Sequence, residues 1–199
     1  MPNLTLATCQ FPIDKDINRN LSYVTRQMQN AKDKGAHLVH FSEGCLSGYL
    51  GVELKSARQV DWDQVTDAMH QVMAAARQHR IWVVIGCNHR LPGRHKPHNS
   101  LYVINDQGKL VNRYDKMFCT GSNNTEADLR HYSPGQSLVT FTVRHVKCGL
   151  IICHDFRYPE LFRRYKQRRV QLLLASFHNA RMTKPETDKY WVYVTTTCQ

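Results

Sequence analysis

An apolar run, Leu150-Ile151-Ile152, ends abruptly at Cys153, and Pro159-Glu160 opens a helical segment six residues later. Proline suits the first turn of a helix, where its missing N–H would have no partner in any case. The stretch therefore predicts a buried strand, a tight turn and a helix, with the cysteine at the rim of a sheet. Open α/β folds hold their ligands at that rim. A thiol placed there is a nucleophile if a neighbour removes its proton.

The rest of the chain repeats the alternation. Asn3 to Gln10 predicts a strand, and Asn18 to Lys34 a helix with Leu21, Val24, Met28 and Ala31 at helical spacing and a stop at Gly35. A short strand over His37 to Phe41 precedes a second amphipathic helix, Trp62 to His79, with Val65, Met69, Val72 and Ala76 on one face. Ile81 to Gly86 predicts a buried strand. Asn99 to Asn105 and Lys109 to Tyr114, joined at Asp106-Gln107-Gly108, predict a hairpin. Lys116 to Pro134 is long, polar and irregular, as functional loops are. Strands over Leu138 to Arg144 and Lys147 to Ile152 follow, then the helix, an apolar run from Val170 to Ser176, and a final strand over Trp191 to Thr197. This order predicts an α/β sandwich of helices covering mixed sheets. A strand that closes the sequence leaves an edge to be paired elsewhere, so the domain is expected to be incomplete.

A chain of 199 residues, 42% hydrophobic and 22% charged, has the size and composition of one globular domain. No stretch is apolar for long enough to span a bilayer, and the N-terminus has no leader pattern, so a cytoplasmic protein without membrane contact is expected. The seven cysteines are odd in number, and most sit in apolar runs without metal-site spacing. Reduced thiols packed as small hydrophobes are expected, and no metal. The net charge of +11 raises a nucleic-acid reading, centred on the basic residues between Arg163 and Arg169. That run follows a helix start, where cations suit the carboxyl end, and no recognition motif accompanies it. Its reading as a solvated helix face is the favoured one.

Three strand ends carry reactive groups. Glu43 follows the strand ending at Phe41, and a partly desolvated carboxylate there is a candidate general base. Lys116 follows the hairpin, where a fixed ammonium is able to stabilise an oxyanion. Cys153 is the third. The N–H of His154, at the turn, is a second candidate oxyanion donor, and no Gly-x-Ser-x-Gly elbow is present. Taken singly, each has a bland alternative: a surface glutamate, a solvated lysine, a packed cysteine.

Glu43, Lys116 and Cys153, in that order, resemble the Glu-Lys-Cys triad of the nitrilase (carbon-nitrogen hydrolase) superfamily. The likeness extends over Ala7 to Pro12, Phe41-Ser42-Glu43 with Ser47-Gly48-Tyr49, Tyr114-Asp115-Lys116, Tyr132-Ser133-Pro134-Gly135, and Cys148 to Glu160. It implies a four-layer αββα sandwich and cofactor-free hydrolysis of a non-peptide C–N bond through a thioester on Cys153. Glu43 is then the proton carrier, and Lys116 with the His154 N–H holds the oxyanion. The residues after Cys153 are similar to those of amidases and carbamoylases rather than true nitrilases. A small amide or N-carbamoyl compound is the implied substrate, and ammonia or an amine the leaving group.

Many family members carry a second glutamate in the loop between lysine and cysteine. Counting back from Pro134-Gly135 places it on Asp128, with Glu126 close by. His178 and Asn179, closing the run after the helix, are candidate substrate-positioning residues, with an ordinary loop start as the equal alternative. The resemblance also implies a homodimer or higher homo-oligomer through the helix after Cys153, and C-terminal strands that this sequence lacks. Two other functions compete with a thiol amidohydrolase: a family fold that binds without catalysing, and a nucleic-acid binder.

Overall fold

The computed structural model describes residues 3–178 and 183–198. Its first sheet has five strands in sequence order: β1 (Leu6–Cys9), β2 (Leu38–Phe41), β3 (Trp82–His89), β4 (His98–Ile104) and β5 (Leu110–Asp115). β1, β2 and β3 are parallel, and β3, β4 and β5 form an antiparallel meander. The second sheet contains β6 (Thr140–Val143), β7 (Val146–Ile152) and β8 (Leu172–Ser176), with β6–β7 antiparallel and β7–β8 parallel. Helices α1 (Ile17–Asp33) and α2 (Trp62–His79) are the crossovers between the parallel strands of the first sheet.

Strand alternation builds three cores. Val39 and Phe41 of β2 and Val83, Ile85 and Cys87 of β3 face Val24, Met28, Met69 and Val72 of the two helices. The opposite face, with Leu38, Val84, Leu101, Val103 and Tyr114, packs on Phe141, Val143, Cys148, Leu150, Ile152 and Leu174 of the second sheet. Beyond it, Ile151 packs against Leu161 and Tyr165 of α4 (Pro159–Gln167) and Val194 of α5 (Lys184–Cys198). The layers thus run helix, sheet, sheet, helix. One polar pair spans the sheet interface: His40 Nε2 lies 2.7 Å from Ser176 Oγ, which donates to the Phe41 carbonyl at 2.9 Å. His40 is therefore the donor in the first contact.

Local signals account for the helix ends. Asp16 caps α1 by accepting from Asn18 and Arg19 N–H groups, and Asp61 caps α2 by accepting from Gln64. Three elements differ from the sequence reading. β3 runs to His89 rather than ending at Gly86. Gly86 is a point of close approach, because a Cβ there would lie 2.3 Å from the Ser42 carbonyl oxygen. The long loop contains a short helix, α3 (Ala127–His131). The predicted strand over Trp191 to Thr197 is instead the second half of α5. Glu186 anchors its start, with Thr183 N–H donating to Glu186 Oε2 at 3.0 Å and the Thr183 hydroxyl donating to the same oxygen at 2.8 Å. The hydroxyls of Thr195 and Thr196 bond back to the Trp191 and Val192 carbonyls within the helix. The argument for an open edge after a final strand loses its premise.

Candidate functional site

Glu43 stands two residues beyond β2 and is 1% exposed. Its backbone lies against β3 where Gly86 has no side chain. Two asparagines paired across β3 and β4 hold the surroundings. Asn88 donates from its side chain to the Gly48 carbonyl at 3.1 Å, and its N–H donates to Ser47 Oγ at 2.8 Å. Asn99 donates to Glu43 Oε1 at 2.7 Å. The other carboxylate oxygen, Oε2, is buried and has no hydrogen-bond partner among the described residues.

Lys116 follows β5 and is also 1% exposed. Its ammonium donates to Glu43 Oε1 at 2.9 Å and lies 2.7 Å from Asp128 Oδ2, on α3. Burial alone would lower the Lys116 pKa, but Glu43, Tyr49 and Asp128 together carry it well above the ordinary range. Asp128 shows the reciprocal effect: burial opposes ionisation, yet Lys116 and a hydrogen bond from the Tyr49 hydroxyl leave its pKa lowered. Lys116 is thus a fixed cation between two carboxylates. Gly135 lets the chain return beside it, since a Cβ there would stand 2.2 Å from the Asp115 carbonyl oxygen, and its N–H donates to the Lys116 carbonyl at 2.8 Å.

Cys153 begins a 3₁₀ turn, Cys153–Arg157, with φ of +44°, a left-handed backbone that L-residues adopt rarely. The turn is fixed by Asp155, which accepts from Ile152 N–H at 2.9 Å, Phe118 N–H at 2.8 Å and the Tyr114 hydroxyl at 2.7 Å. Burial, with the negative charge of Glu43, pushes the Cys153 thiol up to about 12, while Lys116 and the His178 N–H pull the other way. The thiol is therefore neutral at neutral pH in the ligand-free molecule. Tyr190 of α5 directs its hydroxyl at the same sulfur.

The structure separates the two loop carboxylates. Asp128 is 4% exposed and on Lys116, whereas Glu126 is exposed and accepts from Ser122 and Asn123 within its own turn. Glu126 does not reach the cluster, because the capping position it occupies faces solvent. His178 is buried, stacks on Tyr49 at 4.7 Å and lies 3.2 Å from Glu53 Oε2. Asn179 lies outside the described residues. The His154 ring packs edge-on against Tyr158 and points away from Cys153's role as an immediate imidazole partner. A cleft of about 230 Å³, lined in part by Gln10, Phe11, Ser42, His178 and Trp191, opens beside this cluster. Its lining residue His178 bonds to Cys153 through its backbone N–H, and Ser42 precedes Glu43, but Glu43, Lys116 and Cys153 do not themselves line it. The basic residues Arg163, Arg164, Lys166, Arg168 and Arg169 are exposed on α4 and the turn after it.

Sequence reasoning missed Asn99, Tyr49 and Asp155. The available signal for Asn99 was a polar pair, Asn99-Ser100, at the head of an otherwise apolar strand. Among the described residues, no cluster of three His, Cys, Asp or Glu side chains is arranged to hold a metal ion. No described helix is long and apolar enough to cross a membrane.

Comparisons with known proteins bear on the family and the fold. The chain is 26% identical over 183 residues to a nitrilase and fragile histidine triad fusion protein from Caenorhabditis elegans, covering 84% of this chain and 39% of that protein. It is 26% identical over 180 residues to an omega-amidase from Mus musculus, covering 87% of this chain and 63% of the relative. It therefore spans less than two thirds of the length of either. In structure it is similar to an amidase of the nitrilase superfamily from Nesterenkonia, with a TM-score of 0.83, 20% identity, and coverage of 98% of this chain and 71% of the other. The carbon-nitrogen hydrolase family profile matches residues 5–197, and the chain belongs to that family, within the nitrilase superfamily.

Proposed function

We propose that Glu43, Lys116 and Cys153 form a cofactor-independent site that hydrolyses the C–N bond of a small amide through a thioester. The observation that carries this reading is the division of labour on Glu43. Its Oε1 is occupied by Lys116 and Asn99, and its Oε2 is buried without a partner. A carboxylate so arranged is able to take and return a proton without moving.

Cys153 is neutral before substrate binds, so proton removal by Glu43 Oε2 accompanies attack of Sγ on the amide carbon. The carbonyl oxygen becomes an oxyanion beside the Lys116 ammonium, with the His154 N–H, in the first turn of the 3₁₀ segment, as second donor. The intermediate collapses, the C–N bond breaks, and Glu43 returns the proton to the departing nitrogen. A water molecule then gives its proton to Glu43 and attacks the thioester. Collapse of that second intermediate releases the acid, and Sγ regains its proton. Asp128 keeps Lys116 in place throughout.

Structures of the Nesterenkonia amidase hold butyramide in one case and acrylamide added to the active-site cysteine in another. Short aliphatic amides are accordingly the first substrates to test here, with N-carbamoyl compounds second. The family resemblance also carries a homo-oligomer as the working assembly. The test is ammonia release from butyramide and propionamide by the wild-type chain and by Cys153→Ala. Turnover is expected in the first and none in the second, and equal turnover in both would sink the reading.

A further inference from the structure

We propose that Asn99 is a positioning residue that determines which oxygen of Glu43 acts as the base. This rests on the thiol-hydrolase reading and extends it to a residue outside the triad. Asn99 is 2% exposed at the head of β4. It touches both charged partners through different atoms: its side-chain amide donates to Glu43 Oε1 at 2.7 Å, and its carbonyl accepts the Lys116 N–H at 2.9 Å.

A carboxylate oxygen has two lone pairs in its plane. On Oε1 they serve Asn99 and Lys116, which leaves Oε2 as the oxygen free to accept a proton. A half-turn of the carboxylate exchanges two equivalent oxygens and restores the same bonds, so the position facing Asn99 and Lys116 is always occupied and the other is always the one left to accept a proton. Lys116 alone does not secure this, because its ammonium is shared with Asp128 Oδ2 at 2.7 Å. Asn99 supplies a donor that belongs to Glu43 only. Being neutral, it also stabilises the ionised carboxylate without adding a second cation that would hold the proton-accepting oxygen too weakly basic.

The ionisable groups around Glu43 are Lys116 after β5, Asp128 on α3, Cys153 and Cys119 on the flanking turns, Tyr49 and Tyr132 on the loops, and Tyr190 on α5. None of these changes when Asn99 is replaced. A fall in kcat at nearly unchanged KM after replacement therefore reports on Glu43 and its lost donor.

The experiment follows alkylation of Cys153 by iodoacetamide, read by peptide mass spectrometry between pH 5 and 9, alongside kcat and KM for butyramide. In Asn99→Ala, alkylation and kcat are expected to fall about ten- to a hundredfold, the range for losing a hydrogen bond to a charged group. KM should be nearly unchanged. Asn99→Asp keeps the side-chain shape but has no donor when ionised, and should be slower still. If Asn99→Ala does not fold, as read by thermal melting, Asn99→Asp and Asn99→Ser carry the same test. A rate loss carried by KM rather than kcat, or wild-type rates in the variants, overturns the proposal. The parent reading fails differently: wild-type Cys153 would then be alkylated no faster than the other cysteines.

Discussion

Replacing His40 with glutamine tests whether the polar pair between the sheets sets the acid stability of the fold. His40 is buried, and desolvation lowers its pKa from the ordinary 6.5 to about 4. Above pH 6.5 the ring is neutral in both folded and unfolded chains, and it adds no pH dependence. Between pH 6.5 and about 4 the unfolded chain takes up a proton that the folded chain refuses, so stability falls as pH falls. At about 1.4 kcal/mol for each pH unit, that window is worth about 3 kcal/mol. Asp155 acts in the opposite sense. Burial raises its pKa from 3.8 to about 6, against the pull of its N–H and hydroxyl donors. It is neutral in the fold at low pH, and its ionisation removes about 3 kcal/mol of stability as pH rises from about 4 to 6. In the wild-type chain the two slopes nearly cancel, which hides both. His40→Gln places an uncharged amide donor near the position of Nε2, within reach of Ser176 Oγ. Urea unfolding followed by tryptophan fluorescence at pH 7.5, 6, 5 and 4 gives the free-energy difference between variant and wild type at each pH. That difference should shift by about 3 kcal/mol in favour of the variant on acidification. A difference constant to within about 1 kcal/mol would refute the reasoning.

Two further outcomes separate roles within the structure. Asp128→Asn should lower kcat about tenfold or more by weakening the hold on Lys116, while Glu126→Gln should stay within about twofold, measured as ammonia release from butyramide. Gly149→Ala should destabilise the fold by about 1–3 kcal/mol in urea unfolding, because its Cβ would stand 2.8 Å from the Tyr165 ring. A change below about 0.5 kcal/mol would mean that the ring yields, although its hydroxyl is tied to the Leu150 backbone.

What was legible in the sequence followed from hydrophobic runs and where they stop. The ends of β2, β5 and β7 are marked by Glu43, Lys116 and Cys153 because a buried strand tolerates such groups only at its rim, and the structure brings all three rims together. Asp128 and Glu126 were inseparable by counting, since two residues of spacing decide between a buried side chain and an exposed one only once α3 exists. α5 was misread because Val192, Val194 and the threonines after it carry the β-branched signature of a strand. The contrary signal was present in Thr183-x-x-Glu186, whose carboxylate accepts from both the N–H and the hydroxyl of Thr183 at the start of the helix. The predicted strand ends at Gly86, although a glycine in a strand also marks where another backbone passes. Asn99 had no periodic signal at all. Its importance depends on a contact 56 residues away in sequence.

The cluster of Glu43, Lys116 and Asp128 has a physical consequence for how the fold must be built. Three charges in a nearly dry interior are stable only if each is paired and hydrogen-bonded, and removing one partner of a buried pair typically costs about 3–5 kcal/mol. The chain meets that demand with neutral donors rather than more charge: Asn99 on Glu43, and the Tyr49 hydroxyl and Thr120 N–H on Asp128. Glu43 Oε2 is the exception, a buried acceptor left without a donor. An unsatisfied buried acceptor is destabilising by about 1–3 kcal/mol, more when charged. Filling it with a fixed donor would stabilise the fold and abolish the base. On the proposed reading, the Cys153 thiol and then the attacking water donate to it during turnover, and the departing nitrogen takes the first of those protons away, which is the order of transfers that hydrolysis through a thioester requires.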